Sequence, residues 1–102
     1  MCYDDKRRVK YLQFPSGKEP FKDWVKKLDK KERLVIRGHI ERVAEKRILG
    51  IFEIKIYFRS GLRVYFALEG EYIILLLLGG NKTSQVRDIS LAKKYWRNYV
   101  SN

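Results

Sequence analysis

Residues 51–81 read IFEIKIYFRSGLRVYFALEGEYIILLLLGGN, and this stretch decides the fold. From Ile51 onward the apolar period is two: Phe52, Ile54, Ile56 and Phe58 fall on one face, Glu53, Lys55 and Tyr57 on the other. Ser60-Gly61 is a tight turn into a partner strand, Leu62–Leu68, where Leu62, Val64 and Phe66 alternate with Arg63, Tyr65 and Ala67. Glu69-Gly70-Glu71 turns the chain again, into the unbroken apolar run Tyr72–Leu78. A strand with no polar face is covered on both sides and lies inside its sheet. The run is also far short of the roughly 20 residues that span a bilayer.

Working outward, Val9–Phe14 is rich in strand formers and is stopped by Pro15, Ser16 and Gly17. Pro20 suits the first turn of a helix, and Phe21, Trp24, Val25 and Leu28 follow as one apolar stripe. Asp29 with Glu32 is a capping-box pair that opens a second helix. Along it Ile36, Ile40 and Val43 face one way and Lys30, Arg33, Arg37, Glu41 and Lys46 the other, until Gly50 ends it. Past the apolar run, Gly79-Gly80-Asn81 closes the strand, and a last helix spans Ser84–Tyr99 with Ile89, Ala92, Trp96 and Tyr99 along one side. The order β-α-α-β-β-β-α predicts an α+β fold, a helical hairpin and a C-terminal helix laid on a small, mostly antiparallel sheet. A chain of 102 residues has room for one core, so residues 1–102 are read as one domain.

The charge is unusual. Twenty-three Lys and Arg against twelve Asp and Glu leave a formal +11. Such an excess costs stability through self-repulsion and points to a polyanionic partner, nucleic acid first. The plainer reading is solubility, for which a net charge of about 2–8 suffices in a small domain. Cys2, the single cysteine, cannot form an internal disulfide and fits a reducing cytosol. Met1–Lys10 is charged and has no apolar core, so a signal peptide is not expected and a cytoplasmic location is.

Catalytic signatures are sparse. The chain has no HExxH and no Gly-rich phosphate loop of the usual form, and one Cys with one His builds neither a zinc site nor a Cys–His pair. His39, at the edge of the apolar stripe, reads as a partly packed helical histidine rather than an acid or base. Any catalysis is therefore expected to be free of metal and cofactor and to use Lys, Arg and hydrogen-bonding side chains. Two groups qualify. Lys55, Arg63 and Tyr65 share the polar face of the hairpin with Glu53, where neighbours lie about 4.5–8 Å apart. Cations for phosphate and a ring for stacking suit single-stranded nucleic acid, and a merely solvated face fits the pattern equally well. The second group is Gly79-Gly80-Asn81-Lys82-Thr83-Ser84-Gln85, a loop into a helix. Glycines admit an anion to the backbone, helix amides attract phosphate and Lys82 adds a charge. Thr83 or Ser84 also suits a helix cap, and the two roles are compatible.

The segments Glu53-Ile54-Lys55, Gly61-Leu62-Arg63-Val64-Tyr65-Phe66 and Leu78-Gly79-Gly80-Asn81-Lys82-Thr83-Ser84-Gln85, followed by Asp88-Ile89 and Ala92, occur in this order and spacing. Together they resemble the RelE/ParE toxin superfamily, in particular its HigB-like, phage-derived "addiction module killer" branch. Phe21-Lys22-Asp23-Trp24 and the basic second helix fit the family's N-terminal half, so the resemblance runs from about Val9 to Tyr99.

The resemblance implies the toxin of a type II toxin–antitoxin module, with the RelE-like fold outlined above. It implies a ribosome-dependent endoribonuclease that cuts mRNA and arrests growth by inhibiting translation. The partners it implies are the ribosome and mRNA and an antitoxin encoded next to the toxin, usually a helix-turn-helix protein. Arg63 matches the superfamily's phosphate-clamping arginine, whose bidentate guanidinium suits a transition-state phosphate. Lys55 stands where the branch often has arginine, Lys82 where nucleases carry a late basic residue, and Gln85 belongs to the branch's motif. Tyr65, Asn81, Thr83, Ser84 and Arg87 are the expected RNA contacts, while Asp88 is expected to serve the last helix structurally. No tyrosine or histidine stands in Lys82–Asp88, where many of these nucleases carry an acid or base, so the general base is unassigned. That departure keeps two other readings in view: a ParE-like non-nuclease toxin acting on DNA gyrase, and a catalytically degenerate nucleic-acid-binding module.

Overall fold

The structure, a computed structural model, describes residues 8–41, 51–59, 61–70 and 73–101. Its elements are β1 (Arg8–Tyr11), α1 (Pro20–Lys26), α2 (Lys30–Glu41), β2 (Phe52–Ile56), β3 (Leu62–Glu69), β4 (Ile73–Asn81) and α3 (Gln85–Ser101). The strands form one mixed sheet in the order β1-β4-β3-β2. The meander β2–β3–β4 is antiparallel, and β1 joins β4 in parallel. The class is α+β, with four strands and three helices among the described residues. The apolar run occupies an interior strand, as its lack of a polar face requires.

Helices cover both faces. On one, Phe21 of α1 and Ile36 of α2 pack on Ile56, Leu62, Val64, Phe66, Ile74 and Leu76, with Trp24 and Val25 partly buried against them. On the other, Ala92 of α3 packs with Tyr65, Ala67, Leu75 and Leu77, flanked by Ile89, Tyr95, Trp96 and Tyr99. The register slips once: Tyr65 stands opposite Leu78 and Phe66 opposite Leu76, so Leu77 is the extra residue of a bulge in β4. Leu77 and Leu78 both belong to the α3 side, and the residues beyond them change face.

That change explains Gly79-Gly80. Both are buried residues of β4, which runs through Asn81 rather than ending at Leu78. A Cβ on Gly79 would overlap the Trp24 ring on the hairpin side, and one on Gly80 would overlap the Asp88 carboxylate on the α3 side. The space that a loop glycine was expected to offer an anion is filled by side chains of the protein.

Other boundaries shift by a few residues. β1 ends at Tyr11 rather than Phe14: the Leu12 amide still donates to the Leu76 carbonyl (3.0 Å), but the Phe14 amide bonds Lys18 across a turn. The last helix continues past Tyr99 to Ser101. The capping box is formed, the Asp29 amide donating to Glu32 (3.1 Å) and the Glu32 amide to Asp29 (2.8 Å). Arg59, in the left-handed region at φ 56°, pairs with both carboxylates and ties the β2–β3 connection to the start of α2. His39 is half-buried and donates from Nδ1 to the Val35 carbonyl (2.9 Å). The expectations for Cys2, Val43, Lys46, Gly50, Ser60, Glu71 and Tyr72 lie outside the described residues. No helix among the described residues is long and apolar enough to cross a membrane.

At the far end of the sheet Lys10 of β1, Glu69 of β3 and Tyr99 of α3 form a clamp. Lys10 donates to the Tyr99 oxygen (2.8 Å) and to Glu69 (3.2 Å), and the Tyr99 hydroxyl donates to Glu69. The tyrosine, first of all, and then Lys10 hold the Glu69 carboxyl below its ordinary range. Tyr99 and then Glu69 push Lys10 upward. In the capping box the Glu32 amide, followed by Arg59, lowers Asp29.

Two outcomes follow from this packing. Gly79→Ala, which sets a methyl against a half-buried indole, lowers stability by about 1–3 kcal/mol in denaturant unfolding. The depressed carboxyls contribute stability that is complete above their ordinary values, 4.5 for Glu69 and 3.8 for Asp29, and is lost as pH falls through the lower folded ones. Unfolding midpoints followed through the acid range therefore fall with pH, and Glu69→Gln flattens that fall.

Candidate functional site

The α3 face of the hairpin collects the chemistry. In register, Lys55 of β2, Arg63 of β3 and Gly80 of β4 lie side by side, as do Glu53, Tyr65 and Leu78. The hairpin face was expected to be open, and its centre is not. β3 is an interior strand roofed by α3, so Arg63 is only 8% exposed and Tyr65 wholly buried. The Tyr65 ring, expected as a stacking surface for a base, is instead part of the core beneath α3.

The site is held together from above by Gln85, the first residue of α3. Its Nε2 donates to Glu53 Oε2 (2.9 Å), and the same oxygen lies 3.9 Å from Arg63 Nε. Glu53 thus ties the edge strand to the helix and is the counter-ion of the buried guanidinium. Neither Arg63 Nε nor the Tyr65 hydroxyl makes a hydrogen bond among the described residues. Burial first, then the Glu53 carboxylate and the more distant Asp88, push the Tyr65 phenol far above its usual value against the opposing pull of Arg63. The phenol is a neutral group at any physiological pH. Among the described residues this buried cation has one carboxylate beside it and an unused donor; such an arrangement is expensive, and arrangements of this kind concentrate at functional sites.

The loop into α3 is built differently from the expectation. Asn81 Oδ1 accepts from the Thr83 amide (3.0 Å), the Thr83 hydroxyl (2.7 Å) and the Ser84 amide (3.1 Å). Ser84 accepts from the Asn81 amide (3.2 Å) through Oγ and from the Asp88 amide (2.9 Å) through its carbonyl, and its hydroxyl donates to Asp88. Asn81, Thr83 and Ser84, expected to touch RNA, direct these groups into the turn and the helix cap. Asp88 is buried and completes that cap, the structural role read for it, with Arg87 Nε 3.6 Å from its other oxygen. The turn, Trp24, the two glycines, Arg87 and Asp88 line a groove of about 430 Å³.

The structure therefore brings Arg63 and Gln85 together, adds Glu53 and Tyr65, and sets Lys55 beside Arg63 as an exposed cation. Lys82 is exposed on the turn, its Cβ near Gly61 at the start of β3. Arg87 is exposed at the groove. Sequence reasoning placed Glu53 on this polar face but gave it no role in the site. Its bond to Gln85 was not readable, because it spans 32 positions and depends on where α3 lands.

No protein-family model matches the chain, and no solved structure matches it. An uncharacterised protein of Haemophilus influenzae is 43% identical to it over 44 residues, a segment that makes up 43% of this chain and 44% of that relative. The match thus spans less than half of the relative's length.

Among the described residues the Tyr65 hydroxyl is buried without a hydrogen-bond partner, so Tyr65→Phe removes a desolvated polar atom while keeping the ring. The variant is expected to unfold at the same denaturant midpoint as the parent or a higher one, by up to about 1 kcal/mol. A loss of more than that means the hydroxyl is bonded in solution.

Proposed function

We propose that the protein is the toxin of a type II toxin–antitoxin module, a metal-independent, ribosome-dependent endoribonuclease that cuts mRNA and so inhibits translation. The observation that carries the reading is the buried Arg63 guanidinium, which among the described residues is held by one carboxylate at 3.9 Å and keeps its Nε donor without a hydrogen bond. The formal charge of +11 and the resemblance in sequence support it.

The reaction needs three services. The 2′-hydroxyl attacks the adjacent phosphorus, the bond from phosphorus to the 5′-oxygen breaks, and a 2′,3′-cyclic phosphate and a 5′-hydroxyl remain. One group must take the 2′ proton, one must give a proton to the 5′-oxygen, and one must hold the charge that builds on the non-bridging oxygens. Arg63 is assigned the last task, for which its forked donors are suited. Lys55, in register beside it on the open edge strand, is the second cation and can also supply the leaving-group proton. Glu53 is the carboxylate nearest Arg63 and is assigned the 2′ proton. Gln85 holds its carboxylate in place and so acts as a positioning residue. Lys82 and Arg87 reach the RNA from the turn and the first helical turn, and Asn81, Thr83 and Ser84 shape that rim. No cofactor or metal is required. The adjacent-gene antitoxin, of helix-turn-helix type, is the partner that silences the toxin.

Induction of the wild type in growing cells is expected to arrest growth and produce new mRNA 3′ ends. Arg63→Ala reduces cleavage by about a hundredfold or more and relieves the arrest, and Lys55→Ala, which removes the leaving-group proton donor, costs about a hundredfold as well. Growth arrest with intact mRNA and induction of the DNA-damage response contradicts the nuclease reading and favours the gyrase one. Purified protein with mRNA, with and without ribosomes, reads out the ribosome requirement.

A further inference from the structure

We propose that the outer face of α3 is a track for single-stranded RNA leading to or from the Arg63 site. At 3.6 residues per turn, Arg87, Lys93, Lys94 and Arg97 fall within about a third of the helix circumference. All four are exposed. The sole carboxylate of α3, Asp88, is buried, so no acidic side chain of this helix interrupts the face. Arg87 lines the groove at the helix start, and Arg97 lies about 15 Å further along the axis. At that far end Trp96 and Tyr99 stack (6.0 Å between centroids, 17° between planes) and line a second groove with Phe14 and Val100. These rings face the sheet, on the side of α3 away from the cations, and Glu69 lines that groove with them; the track is therefore the row of cations itself, which starts at the groove that also holds the Trp24 ring.

Sidedness selects this face over the protein's other basic region. The cations of the helical hairpin, including Lys22, Lys26, Lys27, Lys30, Arg33 and Arg37, are interspersed with Asp23, Asp29, Glu32 and Glu41. They also sit on the helical-hairpin side of the sheet, whereas Arg63, Glu53 and Gln85 lie on the α3 side. Arg63 and Arg87 meet at the same end of α3: Arg63 stands opposite Gly80 beneath the helix, and Gly80 lines the groove that Arg87 borders. The track rests on the proposed RNA-cleaving reading for its direction, but binding along it is a separate property.

The test measures anisotropy of a labelled single-stranded RNA bearing 2′-O-methyl groups, which the proposed reaction cannot cut, across a salt series. Lys93, Lys94 and Arg97 are changed together to Gln, and Lys26, Lys27 and Lys30 are changed to Gln as a charge-matched control. Gln is a good helix former and all six positions are exposed, so both variants should keep the parent's circular dichroism and unfolding midpoint. The α3 variant is expected to bind at least about tenfold more weakly at low salt, with the slope of log affinity against log salt reduced by about 2. The control should stay close to the parent in slope. Equal losses in the two variants overturn the track, because the binding is then a property of total charge. An α3 variant that keeps RNA affinity but loses binding to polyglutamate also overturns it and assigns the face to an acidic protein. If the parent binds along α3 yet never cuts an unmodified RNA on ribosomes, the nuclease reading fails while the track stands.

Discussion

Everything in this fold depends on β4 having no solvent side. A strand of Ile and Leu in the middle of a four-stranded sheet must be covered on both faces. The helical hairpin covers one and α3 the other. Because the chain leaves β4 directly into α3, the helix must begin at the Asn81 end of the sheet. Its first turn therefore lands over Arg63 and Glu53, and the Gln85 bond to Glu53 closes the contact. The candidate site is a consequence of how the sheet is roofed.

The same constraint accounts for the glycine pair. The bulge at Leu77 makes Gly79 and Gly80 face opposite layers, and each layer uses the space that a missing side chain leaves. Trp24 occupies it on the hairpin side; Asp88, within the helix cap, occupies it on the other. A motif that looks like a phosphate loop in sequence is thus a packing device that joins three elements. The cations of this region, Lys82 on the turn and Arg87 in the first helical turn, stay exposed outside the packed glycines.

Much of this was legible beforehand, and the reasons differ by feature. The seven elements, the interior position of the apolar strand and the Asp29–Glu32 capping box follow from local periodicity and cap chemistry, which act over a few residues. The parallel pairing of β1 with β4 has no local signal. Nor has the bulge at Leu77, which one more leucine in a run of leucines conceals. Arg63 and Gln85 were singled out as site residues, but not their depth: alternation in β3 marks a polar face without saying that a helix will cover it. Tyr65 looked like an exposed ring for the same reason, and Glu53 drew little notice because its partner Gln85 is distant in sequence. Tyr99, read as packing, also closes a hydrogen-bonded clamp with Glu69 and Lys10.

On the proposed reading, a guanidinium buried under α3, with a carboxylate beside it, promotes attack of a 2′-hydroxyl on its own phosphodiester without a metal. The most direct measurement is the chemistry of the cut ends. Purified protein is given ribosome-bound mRNA, with low-molecular-weight chelator added to a level that spares the ribosome, and the products are analysed by mass. The expected products carry 2′,3′-cyclic phosphate and 5′-hydroxyl termini and form at a rate that the chelator does not change. Products ending in 3′-hydroxyl and 5′-phosphate, or a reaction stopped by the chelator, would contradict it.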